Sequence, residues 1–215
     1  MARLGLLGQQ GNHGLRLVLG NSSSDMDSVV SALTAGYYYT STSQDGSFFV
    51  PVINCQRNDF FCNLEITVHL DDCKIAQDDL FFIDEFRSLY KADLVSEVVL
   101  VDHNKLDISQ QDLSPKVTRI IDHHFDEKEY TDQLVEKECR LIGSATSLIV
   151  HKFIKDLQQF QDDFTAQSEL PNLAYLLGAP IVLDSHFFKP ELKDKRWTDE
   201  DTIAHEFLMK SANID

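Results

Sequence analysis

The sequence lacks any apolar run long enough to cross a membrane. Its longest apolar stretch, Leu173 to Leu183, falls well short of the roughly 20 residues that span a bilayer. The N-terminus also lacks the apolar core of about 7 to 15 residues that is typical of a signal peptide. We therefore expect residues 1–14 to form a flexible tail, and we expect no membrane partner and a cytoplasmic location.

Cysteines and basic residues are scarce. The four cysteines show no CxxC spacing, and a chain of 215 residues can build a core without disulfides, so we expect reduced thiols. There are 19 lysines and arginines against 35 aspartates and glutamates, which gives a formal net charge of -16. Because this charge repels other polyanions, we expect no long nucleic acid as a partner. A phosphate substrate would require bound cations that reverse the local field.

Apolar residues make up 43% of the chain and charged residues 25%, as is typical of a globular domain. Five compact apolar runs alternate with segments long enough for helices, and Pro51 favours an edge position for the second run. This alternation predicts an α/β fold, a doubly wound, mostly parallel sheet with helices on both faces. The predicted strands are 16–20, 48–53, 80–83, 98–101 and 117–121.

Apolar spacing and capping signals predict four helices. Pro180 should kink or break the third of them. Thr198 and Asp201 resemble a capping box at the start of the fourth. A polar stretch at 189–196 is the expected boundary, so we predict one domain over residues 15–190, then a linker and terminal helix over 191–215. The predicted helices are 27–39, 143–160, 170–183 and 198 to about 210.

Acidic and imidazole side chains follow three of the predicted strands. Asn21, Asp25 and Asp27 follow the first strand in the pattern NxxxDxD, Asp102 begins a DHN triplet, and Asp122 begins a DHH triplet. Ligands bind at the carboxyl ends of the strands in an open parallel sheet. A single aspartate there is usually a helix cap or a turn former. Three such sites together gather like charge that favours a bound cation.

The types of side chain favour hard or borderline cations. Carboxylates with few imidazoles and no cysteine suit Mn²⁺ or Mg²⁺ better than a structural zinc. A shared carboxylate can bridge two ions about 3.5 to 4 Å apart. We therefore predict two divalent cations and a hydrolase. Asp184, at the end of the stretch PIVLD, is a further candidate ligand, with a helix end cap or loop aspartate as an equal alternative.

The order of these motifs resembles the DHH phosphoesterase family. The chain carries GNSSSDMDS at 20–28, LVDHN at 100–104, IIDHHFD at 120–126 and VLDS at 182–185, together with GSATSL at 143–148. Each motif is weak alone, but their order and spacing are specific. The resemblance covers roughly residues 15–190, and it implies that this range is the catalytic domain of a metal-dependent phosphoesterase.

The resemblance also implies roles for single residues. His124 would lie beside the substrate phosphate and help the leaving oxygen depart, and Asp102 and Asn21 complete the implied catalytic set. Asp102 would also bridge the two ions. The implied metal ligands are Asp25, Asp27, Asp102, His123 and Asp184.

Two further substrate contacts are predicted from the residues themselves. Ser144 could offer its backbone amide to phosphate at a helix N-terminus, but simple capping explains it equally well. Lys189 begins a basic stretch that could contact a polyanion leaving the metal centre. A solvated linker is the favoured alternative for this stretch, which also contains Lys193, Lys195 and Arg196.

The resemblance leaves the substrate open. Asn21 stands where pyrophosphatases of the superfamily carry histidine, and here the chain is similar to the eukaryotic exopolyphosphatases and Prune-like proteins. We therefore expect release of orthophosphate from inorganic polyphosphate. The DHN triplet at Asp102 instead resembles the pyrophosphatases, which keeps pyrophosphate as an alternative substrate. A nucleotide phosphodiesterase is the third enzymatic alternative.

A non-enzymatic alternative is a truncated Prune-like protein with little turnover that binds or regulates a protein partner. Family members usually continue into a second, smaller domain that grips the distal phosphates. We expect that domain to be absent from a chain that reaches only Asp215.

Overall fold

The protein is described by a computed structural model that covers residues 14–89, 91–160 and 164–213. The predicted tail at residues 1–14 lies outside the described residues except for Gly14. The strands are β1 (Leu15–Leu19), β2 (Phe49–Val52), β3 (Val95–Val101), β4 (Val117–Asp122) and β5 (Glu136–Cys139). The α-helices are α1 (Met26–Thr42), α2 (Arg57–Phe60), α3 (Leu64–Asp72), α4 (Ile83–Leu89), α5 (Ala145–Phe160), α6 (Phe164–Asp184) and α7 (Asp199–Ser211). Short 3₁₀ segments cover Gln77–Asp79, Ala92–Leu94, Ile108–Lys116 and Pro190–Leu192.

The five strands form one sheet in the order β2-β1-β3-β4-β5, and every neighbouring pair is parallel. This confirms the predicted parallel sheet. β2 lies at the edge, where the missing N–H of Pro51 is tolerated, and Pro51 is in register with Val18 of β1. The strand order reverses at β1, so the crevice between the carboxyl ends of β1 and β3 is the switch point at which such sheets bind ligands.

Alternating strand residues pack against opposite layers. On one face, Val18, Val99 and Ile121 contact Ala32 of α1 and Leu148 of α5. On the other face, the core includes α4 and the 3₁₀ segment Ile108–Lys116; its members include Leu17, Leu100, Phe86 and Leu113. Helices α6 and α7 form a further layer outside α1 and α5; their core residues include Leu177, Ile181, Ala204 and Leu208. The predicted helices on both faces are confirmed.

The predicted strand at 80–83 is wrong. Phe82 forms a single parallel bridge with Ile53, just beyond the end of β2, and the chain then turns into α4 at Ile83. Asp84 and Glu85 lie in the first turn of α4, where negative charge stabilises the helix N-terminus. The apolar residues at 80–83 are thus part of one β-bridge and of the start of a helix, and they do not form a strand.

Of the predicted kink or break at Pro180, the break is wrong, because α6 continues through it to Asp184, and the kink stays a prediction. A proline lacks the N–H that would bond the carbonyl four residues earlier, which here belongs to Leu176. His69 of α3 supplies the replacement, since its Nε2 lies 3.2 Å from the Leu176 oxygen. Only a protonated Nε2 can donate to a carbonyl, so this contact places a proton on Nε2 of His69. A tertiary hydrogen bond thus offsets the local defect.

The capping box at the start of α7 is confirmed. The Thr198 side chain accepts from the Glu200 amide, and Asp201 Oδ2 accepts from the Thr198 amide at 2.8 Å. Ala204 and Leu208 then bury one side of α7 against α6. Helix α7 therefore packs on the helical layer of α5 and α6, and the boundary at residue 190 stays a prediction.

All four cysteines are free. Among the described helices, none is long and apolar enough to span a membrane.

Candidate metal centre

A cavity of about 300 Å³ opens at the carboxyl ends of β1, β3 and β4. The structure brings all five predicted metal ligands and His124 to its wall, although they come from widely separated parts of the chain. The six predicted residues that line it are Asp25, Asp27, Asp102, His123, His124 and Asp184. Parallel pairing of the three strands explains this meeting, because their carboxyl ends share one edge of the sheet.

Asp25 and Asp27 sit at the start of α1 in different surroundings. Asp25 is exposed and is the N-cap of the helix, since its Oδ1 accepts from the Ser28 amide at 3.0 Å. Asp27 is only 4% exposed and faces the N-terminus of α5. A helix N-terminus carries a partial positive charge and unpaired N–H groups, so it stabilises the buried Asp27 carboxylate.

The two oxygens of Asp27 differ in their remaining capacity. Oδ1 accepts from Ser144 Oγ at 2.7 Å and from both the amide and the hydroxyl of Thr146, at 2.9 and 2.7 Å. Oδ2 accepts from the Ala145 amide at 2.7 Å and lies 3.7 Å from His123 Nε2. Oδ2 is therefore the atom with room for a cation.

Asp102 lies directly after β3 with a left-handed backbone, φ 62°, which is uncommon for a residue with a Cβ. Its carboxylate is buried, and Oδ2 accepts from Asn21 Nδ2 at 2.6 Å. Oδ1 lies 3.2 Å from His123 Nε2, without hydrogen-bond geometry, and has no hydrogen-bond partner among the described residues. A buried carboxylate oxygen without a donor is costly, and a cation would compensate it.

His123 follows β4 and is held by the backbone. Its Nδ1 lies 3.1 Å from the Ile142 carbonyl, so Nδ1 carries the donated proton and Nε2 faces the carboxylates. Metal-binding histidines are typically oriented in this way, with the second ring nitrogen bonded to a carbonyl. Burial alone would lower the pKa of His123, but the Asp102 and Asp27 carboxylates raise this pKa to about 10.

The buried carboxylates also hold uncompensated charge. Burial, followed by repulsion from Asp27, raises the pKa of Asp102 to about 7. Burial, followed by repulsion from Asp27 and Asp25, raises the pKa of Asp184 to about 8. These shifts mean that the described side chains alone do not stabilise four ionised carboxylates in this space.

These residues fit a hard divalent cation. Ligand atoms of Asp102, His123 and His124 all lie within 4.8 Å of one another. Carboxylate oxygens are the ligands that suit Mn²⁺ and Mg²⁺ in proteins. The unpaired Asp102 Oδ1 and His123 Nε2, which lies between the Asp27 and Asp102 carboxylates, supply ligand atoms for such a cation.

Asp122 orients the imidazole ring of His124. Asp122 is the first residue of the DHH triplet, and the sequence predicted no role for it. His124 is about half exposed, and both its Nδ1 and its amide approach Asp122 Oδ1, at 2.8 and 3.2 Å. Asp122 is fully buried, and its other oxygen accepts from Asn104 Nδ2 at 2.5 Å. The Asp122 hydrogen bond raises the pKa of His124. The first letter of the DHH triplet is the signal for this orienting residue.

Three other predicted residues do not line the cavity. Asn21 Nδ2 donates to Asp102 Oδ2, and Asn21 Oδ1 accepts from the backbone amides of Ser23 and Ser24 at 2.9 and 3.1 Å. Ser144 is buried, and its hydroxyl serves Asp27. Lys189 is exposed and away from the cavity wall. The catalytic role of Asn21 and the substrate contacts of Ser144 and Lys189 stay predictions.

Two basic residues from the same predicted stretch, Lys195 and Arg196, do line the cavity. The sequence favoured a solvated linker there, because nothing in it showed that 193–197 folds back against the sheet edge.

The chain is similar to proteins named as phosphoanhydride hydrolases. A Rattus norvegicus protein named Exopolyphosphatase PRUNE1 is 30% identical over 206 residues, which are 93% of this chain and 43% of that protein. The Homo sapiens protein of the same name is 31% identical over 172 residues, 79% of this chain and 36% of that protein. A Bacillus cereus protein named as a probable manganese-dependent inorganic pyrophosphatase is 30% identical over 125 residues, 58% of this chain and 36% of that protein. The chain thus spans less than half the length of these relatives.

A solved structure agrees in fold. It belongs to a Methanococcus jannaschii protein provisionally assigned to the family II inorganic pyrophosphatases, with a TM-score of 0.64 and 24% identity over 93% of this chain and 57% of that chain. The family model described as "DHH family, N-terminal domain" matches residues 16–180. This match covers most of the chain, including the segments that carry Asp25, Asp27, Asp102, His123 and His124, and the chain therefore belongs to the DHH family.

Proposed function

We propose that this protein is a metal-dependent hydrolase of phosphoanhydride bonds that releases orthophosphate from inorganic polyphosphate. The observation that carries the proposal is the buried Asp102 Oδ1, which has no hydrogen-bond partner in the described part of the chain and faces His123 Nε2 at 3.2 Å. The relatives named exopolyphosphatase support the reaction and the substrate.

The proposed cofactor is a pair of divalent cations, Mn²⁺ or Mg²⁺. Such ions polarise phosphoryl oxygens and neutralise the charge that builds up during an in-line displacement. The name of the Bacillus cereus relative supports manganese. The proposed ligands are the five that line the cavity: Asp25, Asp27, Asp102, His123 and Asp184.

In this proposal, His124 is the general acid and Asp122 is its positioning residue. The raised pKa of His124 favours the protonated imidazole, which can donate a proton to the leaving phosphate oxygen. Asn21 supports the reaction through its hydrogen bond to Asp102. Four free cysteines support a cytoplasmic location.

Pyrophosphate is the second candidate substrate, and the Bacillus cereus relative favours it. Phosphate release from tripolyphosphate, pyrophosphate and a cyclic nucleotide, each with Mn²⁺, separates the candidates. We expect the fastest release from tripolyphosphate. Asp102→Asn should abolish it, while Asp107→Asn, which makes the same change at an exposed aspartate outside this cavity, should not. Full activity in Asp102→Asn would refute the metal assignment, and no release by the wild-type protein would favour a binding or regulatory role.

A further inference from the structure

We propose that Lys195 and Arg196 form a phosphate-binding wall of the metal cavity, which holds the part of the substrate beyond the bond that is cleaved. The inference rests on the proposed function, because it names residues that would bind that substrate. Among the described residues that line the cavity, these two are its only lysine and arginine. The same cavity lining also carries four carboxylates: those of Asp25, Asp27, Asp102 and Asp184.

The charges of these two residues are available to an anion. Lys195 Nζ donates to the Glu191 backbone carbonyl at 3.2 Å, which leaves its charge without a carboxylate partner in the described chain. The Arg196 guanidinium likewise has no hydrogen bond or ion pair among the described residues. Nearby basic groups differ, since Lys193 pairs with Asp199 at 2.5 Å and Arg140 pairs with Glu138 at 2.8 Å.

The segment that carries the two residues is held in place before any ligand binds. Trp197 is buried, and its Nε1 donates to the Lys189 carbonyl at 2.9 Å. Its ring packs edge-on against Phe188, with the centroids 5.6 Å apart. The Arg196 amide donates to the Leu192 carbonyl at 2.9 Å. A fixed backbone lowers the ordering cost of binding, because only two side chains remain to be immobilised.

Gly143 joins this segment to the metal ligands. A Cβ at Gly143 would lie 2.9 Å from the Arg196 carbonyl oxygen, so only glycine lets the segment pack this closely against the start of α5. Two residues further along, the Ala145 amide donates to Asp27. The start of α5 therefore contacts both the basic segment and a proposed metal ligand. This shared contact fixes the position of Arg196 relative to Asp27.

The neighbouring cavity is unsuited to a polyanion. A second cavity, of about 490 Å³, shares Asp102 and His124 with the first and also carries Asp107 and Glu127. Its one lysine, Lys105, is already engaged by Glu127 and Glu129, at 3.2 and 2.7 Å. Electrostatic repulsion there favours a path for the phosphate chain along Lys195 and Arg196.

The test compares Lys195→Gln, Arg196→Gln and the double variant with Lys193→Gln, which removes the same charge from the same segment but does not line the cavity. Calorimetry measures binding of Mn²⁺, then binding of imidodiphosphate to the Mn²⁺-loaded proteins. We expect the double variant to bind Mn²⁺ as the wild type does and to bind imidodiphosphate at least about tenfold more weakly, the usual effect of losing charge-assisted hydrogen bonds. KM for tripolyphosphate should rise by a similar factor, with a smaller change in kcat and a weaker dependence of KM on salt. Lys193→Gln should match the wild type.

The failure of this inference differs from the failure of the proposed function. If the wild type binds Mn²⁺ and imidodiphosphate and the double variant binds both equally well, the basic wall is refuted while the hydrolase proposal stands. If the wild type binds neither, both are refuted. Should the wild type bind imidodiphosphate without turnover, the calorimetric comparison alone decides the role of Lys195 and Arg196.

Discussion

His123 Nε2 lies 3.2 Å from Asp102 Oδ1, and the two residues follow neighbouring strands of the sheet. Each of the two side chains is oriented by a further hydrogen bond. His123 Nδ1 bonds the Ile142 carbonyl, and Asp102 Oδ2 accepts from the side-chain amide of Asn21. The pair is therefore presented by the backbone and by a second layer of hydrogen bonds, as in protein metal sites.

The hydrogen bond from Asn21 Nδ2 to Asp102 Oδ2 should contribute to metal affinity. Asn21→Ala removes the one described side-chain donor to the Asp102 carboxylate. Loss of such an orienting partner typically weakens metal binding about 10- to 100-fold, so we expect a Mn²⁺ dissociation constant at least about tenfold higher by calorimetry. Ser22→Ala, at the exposed neighbouring position, is the control. Equal Mn²⁺ affinity in Asn21→Ala and the wild type would show that Asp102 needs no such support.

Substitutions of Asp25 and Asp27 should both weaken metal binding, but only the substitution of Asp27 should lower the stability of the fold. Asparagine is as good an N-cap as aspartate, so Asp25→Asn should leave the free energy of unfolding nearly unchanged. Asp27→Asn places an amide group among four donors from residues 144–146 and should lower that energy by about 1 to 3 kcal/mol. Urea denaturation without metal measures the difference, and calorimetry should show weaker Mn²⁺ binding in both variants. Equal stability of the two would contradict the buried role of Asp27.

Without metal, the stability of the protein should fall as the pH rises from about 6 to 9. The folded-state pKa values of Asp102, Asp184 and His123 are raised to about 7, 8 and 10. A group with a raised folded pKa binds more protons in the folded state, so its stabilisation is complete below the unfolded pKa and is lost as the pH passes the folded pKa. Thermal unfolding in a chelator should show this slope, and Mn²⁺ should reverse it, because protons compete with the cation. A stability in chelator that does not change with pH would contradict the raised pKa values of these groups.

His69 should stabilise α6 by supplying the hydrogen bond that Pro180 lacks. We expect His69→Phe to lower the free energy of unfolding by about 1 to 3 kcal/mol, because it leaves the buried Leu176 carbonyl without a donor. In a Pro180→Ala background the restored amide can serve that carbonyl, so the same substitution should cost less. A double-mutant cycle by urea denaturation measures the coupling. Strictly additive effects would show that His69 acts through packing alone.

The sequence predicted the parts of the fold that depend on local signals. Strands such as β3 and β4 were recognisable because each is a short run rich in β-branched residues that ends at an aspartate followed by histidine. The capping box of Thr198 and Asp201 was likewise predicted, because both of its members lie within one helical turn. The meeting of Asp25, Asp27, Asp102 and His123 at one cavity agrees with the rule that the carboxyl ends of parallel strands share one edge of a sheet. The resemblance implied their roles as metal ligands, and these roles stay predictions, as does that of Asp184 at the end of α6.

The errors arose where a distant contact overrides a local preference. Pro180 continues a helix because His69, more than 100 residues earlier in the chain, supplies a donor. Arg196 lines the cavity because the segment before it folds back, with Trp197 buried against Phe188. None of these pairings leaves a trace in composition or spacing, since each depends on the completed packing of α1, α5 and α6.

Anomalous scattering from crystals soaked in Mn²⁺ tests the central claim most directly. The account predicts two anomalous peaks, about 3.5 to 4 Å apart, in the cavity between Asp25, Asp27, Asp102, His123 and Asp184. Asp102→Asn crystals should lose at least one peak under the same conditions. A cavity that stays empty at saturating Mn²⁺, or peaks bound elsewhere on the protein, would contradict the metal centre and the hydrolase built on it.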